Sequence, residues 1–189
     1  MEICEHYSDI PEILYNAATG EPHTHCPLCD RFLLDEGIQY IIEKAISQND
    51  ILMDFAICLE CYQKGIGELY SIESRKNFEN YFDNRVDFNL RQKTFTEKFQ
   101  NKFDKWTEYC LCTAKPIRDC KEYQLAAQCE GRQVLYHYMP FAISDEGIIE
   151  LENLLSKKTK EDLRDFMNQI NPQPSLEKSP DNSRTPVLV

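Results

Sequence analysis

Two Cys-x-x-Cys pairs are the residues of this chain whose type and spacing point most directly to a chemistry. The first pair is Cys26 and Cys29, and the second is Cys58 and Cys61. A Cys-x-x-Cys turn delivers two thiolates from one backbone bend, and four thiolates complete the tetrahedron of ligands, at ~2.3 Å, that structural zinc prefers. The 28 residues between Cys29 and Cys58 are enough for the chain to fold back. We therefore predict one structural zinc ion that is bound by both pairs.

Imidazole side chains beside the first pair offer an alternative ligand set, because zinc sites often include histidine nitrogen. His23 and His25 precede Cys26, and Cys4 and His6 form another candidate pair near the start of the chain. That second pair has no partner at a spacing typical of zinc sites. Four cysteines already fill a tetrahedral shell, so we expect the metal to bind none of these other side chains.

The segments around the two pairs predict, in order, a turn, a β-hairpin and a helix. Pro27 stiffens the first bend by fixing its own φ. Residues 40–46 are rich in β-branched and aromatic side chains, and residues 51–57 form an apolar run, with a turn at 48–50 between them. The apolar positions of the first segment also fit a helical face, but its short length and the turn favour a strand. Helical sequence begins at Tyr62, so the second pair lies where a helix starts.

This order, with a Cys-x-x-Cys at each of two places, is typical of treble-clef zinc modules. The segment Ala56-Ile57-Cys58-Leu59-Glu60-Cys61 resembles the second half of the N-terminal zinc-binding domain of the ClpX unfoldases, and the resemblance covers about residues 23–66. It implies that the same four cysteines bind zinc. It also implies a module that dimerises and docks substrates and adaptors, because that family uses its zinc domain to bind proteins. No segment reads Gly-x-x-x-x-Gly-Lys-Ser/Thr, so the resemblance does not extend to an ATPase motor.

Length and composition describe a folded chain without a membrane span. The 189 residues are 42% hydrophobic and 11% aromatic, which is ordinary for a protein with a core. No apolar run approaches the ~18 residues of a transmembrane helix, and the first residues are acidic where a signal peptide is basic and then apolar. We therefore expect a cytoplasmic protein whose nine cysteines are reduced or metal-bound rather than paired in disulfides.

The charge distribution argues against a general affinity for nucleic acid. The net charge is −11, and residues 1–70 carry 13 acidic and 3 basic side chains. Residues 71–118 carry 7 acidic and 10 basic side chains, whereas residues 119–189 carry 12 and 8. Phosphates would be repelled by most of this surface. The sequence therefore predicts an acidic zinc module joined to a mildly basic middle segment.

An aromatic stripe in that middle segment leaves one alternative open. Its members recur at helical spacing and alternate with lysines; they are Phe95, Phe99, Phe103 and Trp106. Interleaved aromatic and basic side chains can bind single-stranded nucleic acid. At helical spacing, however, the aromatics face one way and the lysines another, which favours a core-facing stripe with a solvated opposite face.

The whole chain predicts an α+β fold in which the zinc module is followed by helices, a small antiparallel sheet and two C-terminal helices. Four segments follow from composition and pattern: a treble-clef-like module at 1–70, a helical segment at 71–107, a sheet with helices at 108–170, and a tail at 171–189. The tail is rich in Pro, Ser and charged residues that cannot bury apolar surface, so we expect it to be disordered.

Periodicity and capping residues place the elements of the last two segments. We predict helices at 72–84, 91–106, 145–155 and 159–170, and strands at 109–112, 122–128 and 133–138. Ser144 and Thr159 are the expected N-caps of the last two helices, because each hydroxyl can accept a hydrogen bond from a free N–H of the first turn.

A second group of cysteines lies on the predicted sheet, at Cys110, Cys112, Cys120 and Cys129. Their spacings match no common zinc pattern. Cys110 and Cys112 would share one face of a strand, where cysteine behaves as a small buried hydrophobe. We therefore expect one zinc ion per chain and no second site at these residues.

The motifs favour a binding role over catalysis. The chain has no nucleophile elbow, phosphate-binding loop or His-Glu-x-x-His segment, so we expect no enzyme. The leading expectation is a zinc-stabilised adaptor or regulatory module that binds another protein or a second copy of itself. We expect its contact surface to include some of the apolar side chains of the second half of the module, which are Phe55, Leu59, Tyr62 and Ile66.

Two other functions remain open at this point. One is a cytosolic thiol-redox protein or redox-regulated chaperone, because a Cys-x-x-Cys thiol with a lowered pKa is reactive. The other is a nucleic-acid-binding zinc protein that uses the basic segment near Lys98.

Overall fold

An antiparallel sheet runs through both halves of the chain. The structure is a computed structural model that describes residues 7–48 and 50–170. Within these residues the sheet has six strands: β1 Tyr7–Asp9, β2 Gln39–Ser47, β3 Asp50–Cys58, β4 Glu122–Glu130, β5 Gln133–Leu135 and β6 Phe141–Ser144. The order is β1-β5-β4-β2-β3, and β6 also pairs with β4. The sheet is therefore built around β2 and β4, which pair along their full length.

The predicted hairpin is confirmed as β2 and β3. Their residues pair antiparallel from Tyr40 opposite Cys58 to Ser47 opposite Asp50, with a bulge after Ala45. Every residue of β2 from 40 to 46 is buried, because both faces of the sheet are covered. The β-branched and aromatic residues that predicted this strand lie on both of its faces.

The two faces of β2 carry opposite charges in adjacent positions. Glu43 is fully buried and accepts hydrogen bonds from the Tyr62 hydroxyl (3.0 Å) and from Gln124 Nε2 (2.7 Å). Lys44 points to the opposite face, since successive strand residues alternate, and its Nζ donates to Tyr15 O. The N-terminal loop therefore covers one face of the hairpin, and the helix that carries Tyr62 covers the other.

The helices lie between and after the strands, and the α+β fold class is confirmed. They are α1 Leu59–Leu69, α2 Ile72–Arg85, α3 Phe88–Phe99, α4 Phe103–Trp106, α5 Asp145–Glu152 and α6 Lys157–Ile170. In the described part of the chain, none of these helices has the length and apolar character needed to cross a membrane. The tail predicted to be disordered at 171–189 lies outside the described residues.

The helix predicted at 91–106 is in fact two helices, α3 and α4. The chain turns at Gln100, where φ is +52°, and the Trp106 indole Nε1 donates to Gln100 O at 2.8 Å. The Arg91 guanidinium lies 4.6 Å from the Phe95 ring centre and donates to Trp106 O at 2.9 Å. Neither Gly nor Pro marks this break, so the aromatic periodicity concealed it.

The prediction of a strand at 109–112 is wrong. These residues form a turn with isolated bridges, from Tyr109 to Pro116 and from Cys110 to Ala142. The strand predicted at 122–128 is confirmed as β4, whereas the strand predicted at 133–138 is confirmed only in its first half, because β5 ends at Leu135. Because β4 pairs with β2, the sheet is not confined to the second half of the chain but joins the segments 1–70 and 108–170.

Hydroxyl side chains cap three of the helices, and the cap predicted at Ser144 is confirmed. Ser71 and Ser144 accept hydrogen bonds at the N-termini of α2 and α5. The predicted cap Thr159 instead lies inside α6, where it is fully buried. Ser156 takes its place, because its Oγ accepts the Thr159 N–H at 3.2 Å.

Candidate metal centre

The four predicted ligands meet at the end of the β2–β3 hairpin. Cys58 is the last residue of β3, and Cys61 lies one turn into α1. Cys26 and Cys29 come from a turn in the N-terminal loop that covers the same face of the sheet as Lys44. The four sulfur atoms all lie within 4.8 Å of one another. The predicted order of turn, hairpin and helix is therefore confirmed, and it brings the two sequence pairs together.

Backbone hydrogen bonds shape the turn that presents Cys26 and Cys29. Cys26 N donates to Arg31 O at 2.9 Å, and Asp30 N donates back to Cys26 O at 2.9 Å. Asp30 has a φ of +58°, a left-handed conformation that Asp tolerates better than most residues. Leu33, which is fully buried, anchors the end of this turn in the core.

The spacing of the sulfurs fits a tetrahedral metal ion. Cys29 Sγ and Cys58 Sγ, which come from different pairs, are 3.6 Å apart. Four sulfurs at ~2.3 Å from a zinc ion would be about 3.8 Å from one another. Cys26 and Cys58 are almost completely buried, Cys61 is half-buried and Cys29 is exposed. The donor set is therefore suited to a thiophilic metal that lies near the surface and is reached from the side of Cys29.

The electrostatics of the bare thiols favour a bound cation. Burial raises the pKa of Cys58 and of Cys61, and the sulfurs of Cys29 and Cys26 raise both further, although hydrogen bonds from Cys61 oppose the shift at Cys58. At Cys26 burial also acts to raise the pKa, but hydrogen bonds from backbone N–H groups, that of Cys58 first, hold the pKa below its ordinary value. Several thiolates in this volume repel one another, so full deprotonation of the cluster requires a positive ion between them.

The two histidines beside the cluster bind other partners. His23 is buried, and its Nε2 lies 2.9 Å from Asp54 Oδ1, whereas His25 Nδ1 lies 3.0 Å from Thr24 Oγ1. Burial acts to raise the pKa of Asp54, but the His23 hydrogen bond and the Ala17 N–H outweigh it and lower that pKa. His23 therefore fixes the N-terminal loop to β3. The alternative ligands Cys4 and His6 lie outside the described residues.

The apolar surface expected on the second half of the module is mostly inside the fold. Phe55 is 2% exposed and Tyr62 is 9% exposed, with its hydroxyl on Glu43. Leu59 is half-buried, and the Ile66 side chain lies outside the described part of the structure. Phe55 and Tyr62 are therefore core residues that offer little surface to a partner, and a partner contact at Leu59 stays a prediction.

Exposed apolar side chains occur instead on the turn of the first pair. Leu28 and Phe32 are each 39% exposed, and the His25 ring packs edge-on against Phe32 at 5.3 Å. An ion pair between Arg31 Nη2 and Glu60 Oε2, at 2.9 Å, joins this turn to α1. In the sequence, the position of Leu28 between Cys26 and Cys29 indicates that it lies on the turn that presents these two cysteines.

Within the described residues, the other four cysteines do not converge on one point. Cys129 is fully buried on β4, and Cys120 Sγ donates to Pro116 O at 3.4 Å. Cys110 and Cys112 lie together beside the start of α5. Among the described residues, no three of these cysteines bring their sulfurs within ligand distance of one another. The sequence pattern predicts a small buried hydrophobe at Cys110, whereas the structure surrounds its sulfur with polar groups of Ser144.

The aromatic stripe of the middle segment does not form an open stacking surface. Phe95 packs edge-on against Phe99 and Trp106, with ring centres 5.2 Å and 5.4 Å away. Trp106 is 1% exposed. Bases stack on exposed aromatic faces, and these faces are occupied by one another.

The geometry of the four sulfurs is the basis on which this site is interpreted. The four sulfurs, their burial and their hydrogen bonds describe a closed, cysteine-only centre. The turn and the helix that supply these sulfurs are also joined by the ion pair on the surface. Neither the protein-family models, nor the curated proteins, nor the solved structures that were searched give a match to this chain.

Proposed function

We propose that this protein is a zinc-stabilised, non-catalytic protein-interaction module of the treble-clef type. The observation that carries the proposal is the convergence of Cys26, Cys29, Cys58 and Cys61 within 4.8 Å. Four thiolate ligands are the set that structural zinc sites use. The ion holds the first turn against the hairpin and α1, so that the turn has one fixed shape.

A four-cysteine site favours a structural role because it has no open position. Catalytic zinc keeps one position for water and lowers the pKa of that water to generate hydroxide. With four protein sulfurs bound, the ion here has no water to activate. The ClpX-like resemblance of residues 23–66 supports the same role, since that family uses the module to bind proteins.

The turn of the first pair is the surface we assign to the partner. Leu28 and Phe32 project from it with 39% exposure each, while the metal and the buried Leu33 hold the backbone beneath them. Residues 1–70 carry 13 acidic and 3 basic side chains, so a partner with apolar and basic contact residues fits best. That partner is another protein or a second copy of this chain.

The test replaces both apolar side chains of the turn, as the double variant Leu28→Asp and Phe32→Asp. Ile72→Asp is the matched control, because Ile72 is 68% exposed and lies in the first turn of α2, where an acidic residue is tolerated. Sedimentation and cross-linking in a native extract compare the two variants with the parent. The proposal expects loss of self-association or of a cross-linked partner in the double variant alone, with zinc retained. Equal association of all three zinc-loaded proteins would refute it.

A further inference from the structure

Two cysteines outside the metal cluster lie in the turn that follows α4. Cys110 is 3% exposed, and Cys112 is half-buried. Three backbone hydrogen bonds fix this turn: Cys110 N to Lys115 O (2.8 Å), Ala114 N to Cys110 O (3.0 Å) and Leu111 N to Ala142 O (2.8 Å). Residues two apart in such a turn have Cα atoms about 5.5 Å apart, which is within the range that a disulfide spans.

The Cys110 sulfur accepts several hydrogen bonds. Ser144 N and Ser144 Oγ donate to it at 3.1 Å and 3.2 Å, and Thr113 N donates at 3.4 Å. A neutral thiol is a weak acceptor, whereas a thiolate accepts short, charge-assisted hydrogen bonds. Three donors on one buried sulfur therefore stabilise the deprotonated form.

The hydroxyl network directs the Ser144 proton toward the sulfur. Ser144 Oγ accepts the Gly147 N–H at 3.1 Å and lies 3.1 Å from Thr113 Oγ1. If the Thr113 hydroxyl donates to Ser144, the single hydroxyl hydrogen of Ser144 is left for Cys110. Ser144 is also the N-cap of α5, so the positive end of the helix dipole acts on the same sulfur.

A glycine brings the helix close to the sulfur. A Cβ on Gly147 would lie 3.0 Å from Cys110 Sγ and 2.8 Å from Ile143 Cγ2. Any larger residue would displace one of these groups. Position 147 therefore permits the first turn of α5 to pack directly against the thiol pair.

The two thiols hold one proton between them near neutral pH. The neighbouring Cys112 side chain and the donors from Ser144 and Thr113 outweigh burial and lower the pKa of Cys110 to about 4. The neighbouring Cys110 sulfur and burial raise the pKa of Cys112 well above its ordinary value. The arrangement is a thiolate beside a protonated partner thiol.

The charged side chains around Cys110 and Cys112 form ion pairs with one another. Lys115 Nζ lies 3.2 Å from Asp145 Oδ1 and 3.0 Å from Glu146 Oε1. Glu150, on the next turn of α5, accepts from the Tyr81 hydroxyl at 2.6 Å and pairs with Arg85 at 2.8 Å. The hydrogen-bond donors that face the Cys110 sulfur, rather than a nearby cation, therefore stabilise its thiolate.

We propose that Cys110 and Cys112 form an oxidisable thiol pair, in which Cys110 reacts with hydrogen peroxide and Cys112 resolves the product to a disulfide. The exposure of Cys110 is too small for a bulky disulfide reagent, whereas hydrogen peroxide is little larger than water. The inference does not rest on the proposed function, because it involves neither the metal cluster nor the apolar turn.

The reaction consumes one peroxide and releases two waters. The Cys110 thiolate attacks one peroxide oxygen and the O–O bond breaks, which gives a Cys110 sulfenic acid and a hydroxide. The hydroxide takes the proton of Cys112 and becomes the first water. The Cys112 thiolate then attacks the Cys110 sulfur, the S–O bond breaks, and the departing hydroxide takes a proton from solvent to form the second water. Two electrons pass from the thiol pair to the peroxide.

Peptide mapping isolates this pair from the other cysteines. Trypsin does not cleave between Lys115 and Pro116, so residues 106–118 form one peptide that contains only these two cysteines. The full-length, zinc-loaded protein is treated with hydrogen peroxide, denatured, alkylated and digested. We expect this peptide to escape alkylation and to be lighter by two hydrogen atoms, while the zinc content is unchanged.

Three variants assign the roles. Cys112→Ser is expected to stop at a Cys110 sulfenic acid that dimedone traps, and Cys110→Ser is expected to leave Cys112 reduced. Ser144→Ala removes one donor, and we expect its oxidation at pH 5 to be about five-fold slower, since less thiolate is present there. Asp87→Ala, which removes the side-chain cap of α3, is the matched control and is expected to react like the parent.

Two results would overturn the inference. One is a fully alkylated 106–118 peptide after peroxide treatment of the folded protein. The other is equal oxidation rates at pH 5 for Ser144→Ala and Asp87→Ala, which would show that the donors around Cys110 do not control its reactivity.

Discussion

The two groups of thiols in this protein differ in what surrounds each sulfur. In the metal cluster, sulfurs from two distant pairs face one another and receive hydrogen bonds from the backbone. At Cys110 one sulfur faces a serine hydroxyl, two backbone N–H groups and a single partner thiol. Four facing sulfurs need a cation, whereas one sulfur among donors is stable as an anion. The number of converging thiols is therefore the feature by which we propose metal binding for one group and redox chemistry for the other.

The largest expected effect comes from removing one sulfur of the cluster. Cys58→Ala is expected to lose the bound zinc, because three thiolates leave an open and weaker site, and metal binding contributes directly to the free energy of folding. We expect a fall in melting temperature of about 10 °C or more. Metal analysis and calorimetry measure both quantities. Cys129→Ala is the control, since it also removes a buried sulfur but should retain one zinc per chain; equal zinc content in both variants would contradict the assignment.

A smaller effect, confined to a range of pH, is expected at Cys110. Its pKa of about 4 in the folded protein lies below the value of ~8.5 for a free thiol. A lowered pKa stabilises the fold most above pH ~8.5, and the contribution is lost as the pH falls toward 4. Denaturant unfolding under reducing conditions should therefore show the advantage of the parent over Cys110→Ser growing between pH 5 and pH 8, by about 1 kcal/mol or more. A pH-independent difference would contradict the thiolate assignment.

The smallest effect is expected at the ion pair beside the metal. Glu60 and Arg31 are exposed, and exposed pairs are screened by water and salt. Glu60→Gln should retain one zinc per chain and change the melting temperature by no more than about 2 °C. Loss of zinc in this variant, measured by metal analysis, would mean that the ion pair rather than the four sulfurs holds the turn in place.

The sequence predicted the local parts of this structure better than the non-local ones. The hairpin, α1 and the Ser144 cap follow from patterns within a few residues, and the pairing of β4 with β2 does not, because those strands are about 80 residues apart. The break at Gln100 has no glycine or proline to mark it. The cap of α6 was misplaced because Ser156 and Thr159 both fit a capping pattern, and only packing buries one of them.

The candidate sites show the same difference between local and non-local features. The Cys-x-x-Cys pattern occurs twice, and each occurrence is typical of a metal site. The four cysteines of the cluster could therefore be assigned to one site from the sequence alone. Cys110 acquires its donors from Ser144, 34 residues away, and no spacing rule connects the two. Burial of Tyr62 likewise depends on a non-local contact, because its hydroxyl and Gln124 of β4 both donate to Glu43.

X-ray absorption at the zinc edge of the purified protein, together with its metal content, tests the central assignment most directly. We expect one zinc ion per chain with four sulfur neighbours at about 2.3 Å and no oxygen or nitrogen in the first shell. A metal-free protein that is fully folded, or a zinc ion with an oxygen or nitrogen ligand, would contradict a closed four-cysteine centre.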